Sequence, residues 1–232
     1  MESKKQQYDN LDRMKKFKAL NARGRTSIHQ VADKVVSWKR AALFARLLLT
    51  MRIMRIDCGC CLLRPWSLED VPSLVHHANN YKVWKHMRDS FPHPYTRADA
   101  EQWLSFVHQQ NPQTYFAVEV KGAAVGGIGL ELKSDVERCS AEIGYWLGEA
   151  VWGKGIATAA VQGLTRYGFK VFSLTRIFAV PFANNPGSQH VLENAGYIRE
   201  GVMRRSAVKE GIVLDQVLYA ITDKEGLAPI ES

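Results

Sequence analysis

A chain of 232 residues, 46% of them hydrophobic and 23% charged, with 17 Gly and 8 Pro, can bury a sizeable core and is too ordinary in composition for a collagen-like or low-complexity protein. Its formal charge of +8 is uneven, because residues 1–57 carry 14 Lys and Arg against 5 Asp and Glu while the remainder carries 17 against 18. The near-neutral body indicates no basic face for nucleic acid, and four cysteines are too few for a disulfide scaffold.

Residues 1–30 are polar without a sustained apolar face, which predicts disorder. From Val31 to Met54, apolar residues recur at three- and four-residue steps (Val31, Val35, Trp38, Ala42, Ala45, Leu49), with Lys34, Lys39 and Arg40 between them. That pattern is a basic amphipathic helix, suited to an anionic membrane, a docking partner or organelle targeting. Glu2, Asp9 and Asp12 argue against targeting. A start codon at Met51 or Met54 is the alternative, which would make the upstream residues a gene-model artefact. Arg46 and Arg52 interrupt the most apolar stretch, so no membrane span and no secretory signal are expected, and the expected location is cytoplasmic. Cys58, Cys60 and Cys61 cluster, with Cys139 far away. They do not supply the two spaced ligand pairs of a zinc site, so reduced thiols and no metal are expected.

Residues 58–224 read as one domain, followed by a tail at 225–232. Cys61–Pro65 predicts a short strand, and Ser67 with Asp70 three residues on predicts a capped helix start. An aromatic-rich section runs through Tyr81, Trp84, Phe91 and Tyr95. Thr96 then opens a helix over about 97–109. Strands at Thr114–Val120 and Ala124–Leu132 flank Lys121-Gly122, a hairpin signal, and Cys139–Leu147 is a third. Ile156, Ala160, Leu164, Tyr167 and Val171 mark a long helix. Thr175–Val180 reads as a buried strand and Pro186–Asn194 as a short helix ended near Gly196. Tyr197–Ala207 and Gly211–Ile221 close the domain as a hairpin around Lys209-Glu210-Gly211. This order predicts an α/β (α+β) fold with one mixed, mostly antiparallel sheet flanked by helices.

The most informative stretch is Trp152-Gly153-Lys154-Gly155-Ile156-Ala157-Thr158, between a strand and the long helix. A helix start offers unpaired N–H groups and partial positive charge, which suit an anion, and two glycines let the main chain approach it. Gly148 to Gly155 reads G-x-x-x-x-G-K-G, which lacks the Ser or Thr that holds Mg²⁺ in a nucleotide P-loop. A phosphate cradle, a nucleotide site and a plain tight turn all remain open at this point.

Glu142-Ile143-Gly144-Tyr145-Trp146-Leu147 followed by that loop resembles the core of GNAT acetyltransferases. Asn185-Pro186-Gly187-Ser188 with Val191 through Tyr197 matches the next helix of the same superfamily. Leu63-Arg64-Pro65, Asp215 and Tyr219 fit its RimJ/RimL-like branch, and the likeness covers about 60–222. The resemblance implies acetyl-CoA as donor, a primary amine as acceptor (a protein or peptide N-terminus or a small amine), and a monomer or homodimer. It implies that backbone N–H groups of Gly153, Lys154, Gly155, Ile156, Ala157 and Thr158 hold the diphosphate. Tyr145 and Trp146 would offer a strand N–H to the thioester carbonyl, and Asn185 would bond the pantetheine arm or fix its loop.

Glu142 shares a strand face with Gly144 and Trp146. A carboxylate in this apolar run is either the base for the incoming ammonium or one half of an ion pair with Arg138 or Arg176. Many relatives place an acidic Tyr on the following helix, where this chain has Leu192. Ser188, one turn earlier, is the substitute candidate for protonating the thiolate, unless it is an ordinary helix-start residue. A GNAT-fold protein that binds CoA without catalysis therefore stands as the alternative, with a P-loop-like nucleotide module behind it. His76, His77, His86, His93 and His108 have no metal-like spacing and read as packing or surface residues.

Overall fold

The computed structural model describes residues 54–224. The expectations for the basic extension and the tail lie outside them, apart from Met54–Asp57. Eight strands form one sheet in the order β1-β2-β3-β4-β5-β6-β8-β7. They are β1 (Ile56–Asp57), β2 (Leu62–Arg64), β3 (Tyr115–Val120), β4 (Ala123–Leu132), β5 (Ser140–Leu147), β6 (Arg176–Ala179), β7 (Ile198–Lys209) and β8 (Ile212–Thr222). Every neighbouring pair is antiparallel except β5–β6. The mixed, mostly antiparallel sheet expected from the sequence is present, and a short strand at Ile56–Asp57 that the sequence did not predict precedes the one expected from Cys61.

Among the described residues, five α-helices flank the sheet: α1 (Val71–Ala78), α2 (Tyr81–Trp84), α3 (Arg97–His108), α4 (Ile156–Phe172) and α5 (Pro186–Asn194). The two-residue period of the strands divides the apolar side chains between two layers. Phe116, Val118, Ile143 and Ile177 pack with Val161 and Leu164 of α4. On the opposite face Ala117 and Ala124 pack with Leu74 of α1 and Leu104 of α3, and Trp66 and Tyr95 seal that layer. Thr96 caps α3 through a reciprocal bond with Asp99, as its sequence implied. The aromatic-rich section holds a helix that the periodicity did not reveal: α2 is one turn long, too short for a pattern, and starts where Asn80 Oδ1 accepts from Lys82 N at 2.8 Å.

The residues that fit the RimJ/RimL-like pattern at either end of the domain are anchors. Arg64 donates to both oxygens of Asp70 at 2.7 and 2.8 Å and pairs with Glu119, joining β2, β3 and the turn before α1. Tyr219 donates to Glu193 at 2.8 Å, and Asp215 accepts from Arg205 N at 2.7 Å. The β7–β8 turn is Glu210-Gly211, both at positive φ, the two-residue geometry that matches strand twist. Lys209, expected in that turn, is a buried strand residue.

Candidate active site

β5 alternates as its sequence predicts. Ala141, Ile143 and Leu147 bury toward α4, while Glu142, Gly144 and Trp146 take the other face. β6 pairs with β5 only from Ser140 to Glu142. Beyond that point β5 keeps β4 alone as far as Leu147, and β6 stops at Ala179. The sheet therefore splits at Glu142, and a cleft of about 880 Å³ runs through the split. Every site residue singled out from the sequence lines it: Glu142, Tyr145, Trp146, Gly153 through Thr158, Asn185 and Ser188.

At one end of the cleft stands the start of α4. Gly155 is its N-cap at φ +73° and has no side chain to cap the helix. The first helical bond runs from Ala159 N to Gly155 O at 3.0 Å. The amides of Ile156, Ala157 and Thr158 are therefore left pointing out of the helix. Gly153, at φ +72°, turns the chain just before them. A methyl group on either glycine would meet no atom within 4 Å, so the space in front of the amides is open. The site fits a phosphate on grounds of charge, donors and room. Lys154 lines it too, and its Nζ turns back to donate to Ala150 O at 2.9 Å. Lys82 and Asn80 hold Glu149, fastening α2 across the mouth of this loop. Those two bonds keep the Glu149 carboxyl below its ordinary range.

Along the side of the cleft, Asn185 caps α5 by accepting from Ser188 N at 3.1 Å, so its carbonyl end fixes the loop. Ser188 Oγ lies 2.9 Å from the Tyr145 hydroxyl, which is also 3.1 Å from Ser188 O. Burial pushes the Tyr145 phenol well above its ordinary value, against a smaller opposing effect of the Ser188 bond. The Tyr145 hydroxyl was missed in the sequence, although alternation along β5 already turns its side chain toward the helix layer that carries Ser188. Leu192 is 0% exposed in the main core, one turn below the cleft wall.

At the other end Glu142 is 24% exposed on its side chain and doubly paired. Arg88 Nη2 donates to Oε1 at 3.0 Å and Lys133 Nζ to Oε2 at 3.2 Å. The ion-pair partners expected from the sequence are elsewhere, because Arg138 bonds Asp135 O and Arg176 pairs with Glu200. Sequence spacing could not find Arg88, which follows α2 in an irregular segment 54 residues from Glu142. Burial works against the Lys133 charge, but bonds to Glu131 and Glu142 outweigh it and hold that ammonium above its ordinary value. Burial, with Lys85 nearby, keeps His86 below its ordinary value, and it lines the cleft with a buried, unpartnered Nδ1. Elsewhere His93 stacks on Trp84 and His108 bonds Trp66 O at 2.9 Å, whereas His76 is exposed and His190 is exposed on the cleft wall.

Among the described residues no three His, Cys, Asp or Glu side chains converge as a metal site. No helix there is long and apolar enough to cross a membrane. Cys58 and Cys61 are buried at the β1–β2 turn, whereas Cys60 and Cys139 are exposed.

A split sheet with a glycine-led helix start facing the gap is a shared architecture. Residues 61–198 match the model of the acetyltransferase (GNAT) domain. The uncharacterized N-acetyltransferase p20 of Bacillus licheniformis is 31% identical over 169 residues, covering 70% of this chain and 93% of its own. The ribosomal-protein-serine acetyltransferase of Escherichia coli is 29% identical over 114 residues, 49% of this chain and 63% of its own. Mycobacterium smegmatis RimJ, solved in complex with CoA-disulfide, superposes with a TM-score of 0.64 at 25% identity, covering 75% of this chain and 86% of its own. With the strand, loop and helix motifs all meeting at one cleft, the chain belongs to the GNAT family of N-acetyltransferases, in its RimJ/RimL-like branch.

Proposed function

We propose that this N-acetyltransferase moves the acetyl group of acetyl-CoA directly onto a primary α-amine, the N-terminus of a protein or peptide. The observation that carries the donor is the open row of α4 amides behind Gly153 and Gly155, aimed into a cleft that perforates the sheet. The protein acceptor rests on the likeness to the relative named a ribosomal-protein-serine acetyltransferase. Bound with its diphosphate on α4, acetyl-CoA supplies an acetyl thioester whose leaving group is already good.

The chain's own residues then have three tasks. Amides from Gly153 through Thr158 hold the diphosphate, an anion placed where the helix charge favours it. The open edge of β5 at Tyr145 and Trp146 offers a fixed backbone N–H to the thioester carbonyl, which needs no reorganisation as charge develops. Glu142, at the vertex of the split, takes the proton of the incoming ammonium, while Arg88 and Lys133 keep its oxygens aimed. Ser188 Oγ, on the wall of the cleft, is the candidate proton donor for the leaving thiolate. When the Tyr145 hydroxyl donates to Ser188 Oγ rather than to Ser188 O, the serine proton is free to face the cleft. Much of the remaining rate comes from holding amine and thioester together.

The test is thiol release from acetyl-CoA with peptides, polyamines, amino acids and aminoglycosides as acceptors, alongside calorimetric titration with CoA. Heat of binding together with thiol release on a peptide is the expected result. CoA binding with no transfer to any amine would leave a non-catalytic CoA-binding protein, and absence of CoA binding would overturn the reading altogether.

A further inference from the structure

Beside the main cleft, and sharing Met87 and Arg88 with it, lies a second pocket of about 240 Å³. The end of β7 and Phe182 form its wall, and its charged groups are Arg88, Asp89 and Lys209. Lys209 is unusual among surface-strand lysines, being only 3% exposed on its side chain. Its ammonium sits 3.8 Å from the centre of the Trp84 ring and donates to Asp89 Oδ1 at 2.9 Å. That carboxylate is 77% exposed, so a buried cation is matched mainly by an indole face and a well-hydrated partner. The pocket's neutral polar groups are occupied: Ser206 Oγ donates to Met203 O, and Gln216 Nε2 to Val180 O. Arg88 spends one N–H on Glu142, and its guanidinium carries further donors.

We infer that this pocket binds a carboxylate that the acceptor carries close to its reacting amine. The inference rests on the proposed function, in which the amine arrives at Glu142. Arg88 touches Glu142 on one side and lines the second pocket on the other, so a group attached near the amine passes over it. A carboxylate there meets two cations against one acid and forms charge-assisted bonds with Arg88 and Lys209. A second ammonium, as in a polyamine, meets those same cations. Among the described residues the only carboxylates lining either pocket are Glu142 and Asp89, and both are already paired. Glu131, which also pairs with Lys133, lines neither. Juxtaposed like charges of this kind select against the wrong partner. The carboxylate can be the side chain of an acidic residue behind a peptide N-terminus or the main-chain group of a free amino acid.

The experiment measures initial rates of the full chain at saturating acetyl-CoA. Acceptors are three peptides that differ only in an Asp, Ala or Lys after the N-terminal Ser, together with free aspartate and spermidine. The expected kcat/KM falls from the Asp to the Ala to the Lys peptide, about tenfold or more across the series, with spermidine slower still. Arg88→Gln and Lys209→Met each compress that ratio. Lys209→Met leaves the Arg88–Glu142 pair in place, and a mere loss of Glu142 positioning would slow all three peptides alike rather than alter their ratio. Turnover of free aspartate above the Asp peptide also supports the carboxylate site and assigns it to an amino-acid acceptor. Equal rates for the three peptides, a preference for Lys or spermidine, or a ratio untouched by both variants would overturn the inference while leaving acetyl transfer standing. No transfer to any amine would instead defeat the proposed function, and this inference with it.

Discussion

The two ends of the cleft are built from different materials. At the α4 end the groups that face the cleft are backbone amides supplied by one continuous stretch, Gly153 to Thr158. At the Glu142 end they are charged side chains from distant segments, Arg88 after α2 and Glu142 on β5, backed by Lys133 after β4 and, in the second pocket, by Lys209 at the end of β7. Backbone donors at a helix start cannot change partner without unwinding the helix, so that end suits a ligand part common to a whole family. Side-chain pairs can be rewritten one residue at a time, so the other end is where acceptor choice can diverge. If this division is real, the two ends should fail separately under mutation.

The largest separation is expected from Glu142→Gln. An amide of the same shape keeps the strand but cannot take a proton, so kcat should fall by about 10²- to 10⁴-fold. CoA affinity, measured by calorimetry, should stay where it was, and a parallel loss of CoA binding would show that the ends are not independent. Gly155→Val reverses the pattern. A branched residue at φ +73° costs about 1–2 kcal/mol and fills space in front of the amides, so Kd for CoA should rise about tenfold or more while kcat at saturation changes little. The Tyr145–Ser188 pair lies between the ends. Tyr145→Phe and Ser188→Ala each remove the bond between the two hydroxyls, worth about 1 kcal/mol, about fivefold in kcat. The double variant should fall short of the product of the two effects if they act as one unit. A full product would mean that the hydroxyls act separately.

The same division explains what was legible in the sequence. The α4 end is local, and its signal is a contiguous glycine-led helix start after a strand, so every residue assigned to it does line the cleft. The alternation of β5 placed Glu142 on the correct face, yet it could not name the partners. Arg138 and Arg176 are nearer in sequence or in sheet order, whereas Arg88 reaches Glu142 only because β5 and β6 part company there and α2 folds over the opening. α2 escaped notice because one turn has no period. Lys209 looked like a turn residue since Lys-Glu-Gly is turn-like, and only the two positive-φ residues Glu210 and Gly211 decide where the hairpin bends. Leu192 occupies the helix position where the sequence reading expected a Tyr in relatives, and it is fully buried. Its complete burial adds the reason that a Tyr could not simply be restored: the larger ring would overpack the core at a cost of about 1–3 kcal/mol.

The smallest effect tests the one place where the two ends touch. Lys82 and Asn80, on the segment that leads to Arg88, both hold Glu149 at the entrance of the phosphate loop. The Lys82–Glu149 pair is exposed, so solvent and salt weaken it, and Lys82→Met should change KM for acetyl-CoA by no more than about threefold. Because the pair holds the Glu149 carboxyl below its ordinary range, its contribution is present above the carboxylate range and is lost as pH falls through it. The difference between wild type and Lys82→Met should therefore show in low salt near neutral pH and vanish both in high salt and in acid. A change in kcat instead, with KM for acetyl-CoA unaltered, would mean that the latch acts through Arg88 on Glu142, and the two ends of the cleft would then be one mechanical unit.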